Sequence, residues 1–276
     1  MVKIVVDSTA DLSRDIRANM HVVPLNVIFG EEEYQDSVSI SAEEFYEKLV
    51  NSDVHPTTSQ PTPVLFEDTY RKLVEAGHEV VVLTISSRLS GTYQSATIAA
   101  DEFPGKVFVV DSRNAALGTG VLAQYALELA EKGMSGQEIL DEMIAIRSKV
   151  RLYAMVDTLE YLKRGGRVSP TVAFVGGVLN LKPVIAVRES GVIETVGKAR
   201  GVKKGFAMLN DFVREDGRDE TKPMLVGYTG TEGDQLADYL ASSGEIWPSD
   251  TNRCIVGPTI GVHAGPGAVA IAFFAE

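Results

Sequence analysis

Residues 79–96 read Glu79-Val80-Val81-Val82-Leu83-Thr84-Ile85-Ser86-Ser87-Arg88-Leu89-Ser90-Gly91-Thr92-Tyr93-Gln94-Ser95-Ala96. The opening apolar, β-branched run predicts a strand buried on both faces, as in a parallel sheet. Residues 95–101 predict a helix, so the hydroxyl-rich segment between sits where a strand hands over to a helix. Open α/β sheets bind ligands at that carboxyl edge. Gly91 lets the backbone approach a guest closely, and a helix start offers free N–H donors to an anion. A serine-capped turn with nothing bound has the same local pattern, so the loop alone decides the fold class and not the function.

The same alternation runs outward from this unit. Strand runs at 2–6 and 107–110 also end in acid-hydroxyl turns, Asp7-Ser8 and Asp111-Ser112. Residues 22–29 form another run, but Pro24 and Asn26 place it at an edge. Glu31-Glu32-Glu33 reads as a solvated turn. Ser41 with Glu44 and Ser135 with Glu138 are capping boxes that open helices. Thr62-Pro63 starts a third helix, with Gly77 closing it. Residues 51–61 read as a polar loop, and a long helix is expected over about 114–132. Strands alternating with helices over the first 150 residues predict a parallel sheet covered on both faces. From about residue 157 the texture changes to a hairpin around Glu189-Ser190-Gly191, a helix over 202–215 and strands over 224–228, 253–256 and 268–274. The expected division is therefore 1–156, an α/β/α sandwich, and 157–276, a smaller α/β domain.

Bulk properties narrow the function. The 276 residues carry a net charge of −12, which argues against a nucleic-acid partner, since that needs clustered cations. The lone cysteine, Cys254, excludes an intrachain disulfide and a cysteine-based zinc cluster. Met1 leads directly into a strand rather than a charged segment with a long apolar core. The most apolar later stretch, 171–187, is interrupted by Gly176-Gly177, Asn180 and Lys182-Pro183. The expectation is a soluble, cytoplasmic protein with no stable membrane anchor.

Chemical motifs are few. No G-x-x-x-x-G-K-[ST] loop is present, so nucleotide chemistry by this chain alone is not expected. Gly118-Thr119-Gly120 with Ala123 matches G-x-G-x-x-A but falls inside an expected helix, the wrong context for a dinucleotide. His21, His55, His78 and His263 have no metal-ligand spacing, and no metal or cofactor is assigned. Ser90 and His263 permit a serine-hydrolase reading, although Arg88 stands where a nucleophile elbow needs glycine. Residues 257–268 hold four glycines and two prolines, a pattern that predicts a shaped loop carrying His263 toward a ligand. Lys198-Ala199-Arg200-Gly201-Val202-Lys203-Lys204 is the densest basic patch. Cations at a helix start oppose its dipole and invite an anion.

Taken in order, Asp7-Ser8-Thr9, Thr58-Ser59-Gln60-Pro61, residues 87–96, residues 161–167, Lys198-Ala199-Arg200-Gly201 and His263-Ala264-Gly265-Pro266-Gly267 resemble the DegV family. Its members include the fatty-acid-binding subunits of bacterial fatty acid kinase. The resemblance implies a two-domain fold with a long-chain fatty acid in a tunnel between the domains. It implies that Thr58, Ser90 and His263 hold the carboxylate, with Ser59, Gly91 and Gly265 lending loop backbone. Arg200 matches a basic residue near the head group that engages the kinase catalytic subunit. Some members carry a second arginine two positions on, where this chain has Val202. The implied protein is a lipid-binding subunit, not catalytic alone, that presents its acid for acyl-phosphate formation. A serine hydrolase using Ser90 and His263, and a lipid carrier or sensor without kinase coupling, stay open as alternatives.

Overall fold

The computed structural model describes residues 1–168 and 180–276. The first elements are β1 (Val2–Asp7), α1 (Arg14–Arg17), β2 (His21–Val23), β3 (Asn26–Phe29), β4 (Glu32–Gln35), α2 (Ala42–Asn51) and β5 (Thr57–Ser59). Next come α3 (Pro63–Glu75), β6 (Glu79–Thr84), α4 (Thr92–Ala100), β7 (Val107–Asp111), α5 (Ala116–Glu131), α6 (Gly136–Ile146), β8 (Val150–Met155) and α7 (Glu160–Arg164). After the segment 169–179 follow β9 (Leu181–Val187), β10 (Ile193–Arg200), α8 (Val202–Asp216), β11 (Leu225–Tyr228), α9 (Asp234–Ser242), β12 (Asn252–Ile255), α10 (Pro258–Ala264) and β13 (Val269–Phe274).

The expected parallel sheet has the order β2-β1-β6-β7. Its side chains alternate between two cores, as period-two geometry requires. Val5, Val80 and Val82 pack under α3 and α4. Ile4, Val6, Val81 and Leu83 pack on the other side, against α5 and α6. A second, mixed sheet has the order β10-β9-β8-β13-β11-β12. Leu152, Ala154, Ala270 and Ala272 turn one face of it to the α5 core. Tyr153, Met155, Val269 and Ile271 turn the other face to α8 and α9. Helix α5 packs against both sheets and is buried around its circumference. Its glycines serve that packing, since a Cβ on Gly120 would lie 2.0 Å from the carbonyl oxygen of Asp11. The Gly118–Ala123 spacing is thus a close-contact pattern inside a helix.

Both capping boxes form, at Ser41/Glu44 and Ser135/Glu138, and the β9–β10 hairpin forms with antiparallel register. Three expectations are corrected. The run 22–29 splits at Pro24-Leu25, with β2 joining the parallel sheet and β3 founding a small antiparallel sheet of order β4-β3-β5. The acidic turn at 31–33 is instead the start of β4, held by ladder bonds to β3 and by the Glu32–Lys48 ion pair. Thr57–Ser59 in the polar loop pairs with β3 as β5. Strand β8 falls in the segment 1–156, yet its ladder bonds all go to β9 and β13 in the second sheet. Among the described residues no helix is long and apolar enough to cross a membrane.

Candidate functional site

A cavity lies between the two sheets, with about 850 Å³ of empty space, part of it open to solvent. One wall is the carboxyl edge of the parallel sheet, where Thr9, Ile85, Leu89 and Ser90 follow β1 and β6. Asp7 builds that edge. It accepts the N–H of Ile85 at 2.7 Å, the N–H of Thr9 at 2.9 Å and the Thr9 hydroxyl, and its burial raises its pKa. The opposite wall is the second sheet, where Ala154, Ile185, Val187 and Ala270 face inward. Of the apolar stretch 171–187, Ile185 and Val187 line the cavity, and 171–179 lies outside the described residues.

The third wall is α10. Its residues Thr259, Ile260, His263 and Ala264 all line the cavity, the i, i+1, i+4, i+5 spacing of one helix face. Residues 257–268 were expected to be a loop, and the helix is the correction. Pro258 at the first helical position costs no hydrogen bond, and the next free donors find acceptors in distant segments. The N–H of Gly257 donates to Asp11 Oδ1 at 2.7 Å, and that of Thr259 to Asp36 Oδ2 at 3.1 Å. The helix ends at Gly265 with φ +70° and ψ 175°, a conformation open essentially to glycine alone.

Thr58, Ser90 and His263 come from β5, the β6–α4 loop and α10, and all three line this cavity. His263 Nε2 lies 3.2 Å from Thr58 Oγ1. Ser90 Oγ lies 2.9 Å from Thr92 Oγ1 and accepts the Thr92 N–H at 3.3 Å. Among the described residues His263 Nδ1 is buried without a partner, so none of their carboxylates orients the ring, and Ser90 bonds to Thr92 rather than to histidine. Neither half of a Ser–His–acid relay is assembled.

A cation absent from the sequence-based site also lines the cavity. Arg167 follows α7, donates to the carbonyl of Leu89 at 3.3 Å and also bonds that of Gly165. Burial, with the nearby Arg167 and His55 charges, pushes the His263 pKa down to about 4. The ring is therefore neutral at pH 7. Arg200 stands elsewhere, exposed at the end of β10 opposite Leu181. Ser59, Gly91 and Gly265 are not lining residues, and each follows one in the chain, Thr58, Ser90 and Ala264. Ser59 Oγ accepts from Asn26, Gly91 gives way to the Gln60 side chain and Gly265 to the Tyr161 ring.

The His263 shift has a consequence for stability. Its folded pKa lies below its unfolded value of 6.5, so its stabilising effect is complete above pH 6.5 and is lost as pH falls through about 4. Replacing His263 by Gln is expected to remove up to about 3 kcal/mol of the acid-limb slope between those limits. Urea unfolding at pH 7 and pH 4.5 measures it, and equal slopes for both proteins would refute the assignment.

The family described as uncharacterised protein, DegV family, matches residues 1–276. The chain belongs to the DegV family. A DegV domain-containing protein of Deinococcus radiodurans is 37% identical over 275 residues, covering 98% of this chain and 97% of the relative. Among solved structures, the fatty-acid-binding DegV protein of Thermus thermophilus is 37% identical with a TM-score of 0.88, covering 100% of this chain and 99% of that one. A stearic-acid-binding protein of Eubacterium ventriosum is 27% identical with a TM-score of 0.89, covering 100% and 98%. The two-sheet architecture around α5 is thus a DegV fold over the full chain.

Proposed function

We propose that this DegV protein binds a long-chain fatty acid in the cavity, with the carboxylate held by Thr58, Ser90 and His263. The observation that carries this reading is an apolar cavity whose few polar side chains include these three, from three separate segments, and the Arg167 cation. About fifteen buried methylenes at ~0.8 kcal/mol each supply a gross term near 12 kcal/mol. Hydrogen bonds to a charged group add only about 1.5–3 kcal/mol each. The walls therefore supply affinity, while the polar cluster prevents the cost of an unpaired buried carboxylate and sets its direction. The fatty-acid binding of the Thermus thermophilus and Eubacterium ventriosum proteins supports the same ligand class.

The finer reading is that the bound acid, seated between the units 1–156 and 157–276, is presented to a separate ATP-dependent kinase subunit in the cytoplasm. A carboxylate oxygen would attack the γ-phosphorus, the bond to ADP would break, and acyl-phosphate and ADP would leave. The absent phosphate loop and the exposed Arg200 suit that division of labour. Lipid extraction of the purified protein, after incubation with C14–C18 acids, is expected to return one acid per chain. A cavity that stays empty overturns the binding reading. Acyl-phosphate formation with added kinase subunit, unaffected by Arg200→Ala, overturns the Arg200 role alone.

A further inference from the structure

The helix that carries His263 is held from its far end. Asp11, in the β1–α1 connection, and Asp36, between β4 and α2, are both fully buried, and each accepts one N–H of the first turn of α10. Tyr46 donates its hydroxyl to the carbonyl of Val256 at 3.0 Å, just before that turn. Gly261, on the face away from the cavity, sits against Phe45 and Tyr46, with no room for a Cβ. The backbone of Asp11 is itself pinned by the close approach of Gly120 on α5. A seven-residue helix is thereby registered against the small sheet and α5 together.

We propose that Asp11 and Asp36 are positioning residues, which set the register of α10 and so hold His263 against Thr58 across the cavity. The proposal rests on the fatty-acid reading of that cavity. Asp11 acts by hydrogen-bond acceptance rather than by charge. Burial pushes the Asp11 carboxyl up to about 8, so at neutral pH it keeps its proton while Oδ1 accepts from Gly257. Asparagine reproduces that form, with an acceptor oxygen at the same place. Alanine leaves the Gly257 N–H unpaired inside the protein.

The test compares Asp11→Ala, Asp11→Asn and Gly257→Ala in the full chain. Gly257 has φ −68° and accepts alanine without backbone strain, but the new Cβ would stand 3.1 Å from Asp11 Oδ1 and press the pair apart. Palmitate affinity and the ring-nitrogen NMR signals of His263 are read beside urea stability. Asp11→Ala and Gly257→Ala are expected to weaken palmitate binding at least tenfold and to shift the His263 signals. Those of His21 and His78 should stay in place, and Asp11→Asn should restore both readouts. Lowered stability with unchanged affinity and unchanged His263 signals would reduce Asp11 to a structural cap and overturn the proposal. So would an asparagine variant as impaired as alanine. His263→Ala serves as the control, since palmitate binding that survives it unweakened refutes the cavity reading, not the Asp11 role.

Discussion

Gly165→Ala is expected to weaken fatty-acid binding about 100-fold, a loss of roughly 2.7 kcal/mol, while the protein stays folded. Gly165 has φ −72° and ψ −11°, where alanine is at ease. Its added Cβ, however, would lie 2.0 Å from His263 Nδ1 and 2.7 Å from Cε1. Neighbouring Gly166 has φ +69° and needs glycine for its backbone, whereas Gly165 needs it only for the imidazole. The ring must therefore leave its place beside Thr58, and overpacking of this kind costs about 1–3 kcal/mol of stability as well. A double-mutant cycle separates the two effects. With His263→Ala in the background the methyl finds room, so adding Gly165→Ala should cost no further affinity. Full additivity in isothermal titration would refute the steric account.

How far the site could be read in advance depends on where each signal lies. The β6–α4 unit was legible because six consecutive apolar or β-branched residues, 80–85, precede a turn of hydroxyls, all within one local window. The helices opened by Ser41 and Ser135 were legible for the same reason, since each capping box closes within four residues. Helix α10 was not. Its glycines and prolines favour a loop, and the acceptors that make it a helix, Asp11 and Asp36, are more than two hundred positions away. Tertiary contacts there override local propensity. Likewise the glutamates of β4 look like a turn until β3 offers its edge. Arg167 closes a stretch that the family resemblance covers, but nothing in its spacing announces a cavity-lining cation. Its role depends on α7 abutting α10, a contact across about a hundred residues.

Ala154→Phe is expected to act on the other half of the binding energy, the acyl walls. On β8, Ala154 pairs with Ile185 of β9 on one side and Ala270 of β13 on the other, and all three line the cavity. This row of side chains, two of them single methyls, sets the width of the cavity at the second sheet. A phenyl ring at its centre would fill space that about five methylenes would use, and at ~0.8 kcal/mol each that is about 4 kcal/mol of affinity. Stearate binding should therefore fall on the order of 10³-fold. The folded protein should not suffer, because the ring enters an existing cavity rather than a packed core. Urea stability equal to or above that of the parent is the expected companion result. An acid short enough to stop before Ala154 should lose little, so the ratio of stearate to octanoate affinity reports where along the chain this wall is met. Undiminished stearate binding, with phenylalanine in place and the fold intact, would mean that the acyl chain takes another path, and the cavity between the sheets would no longer account for the ligand.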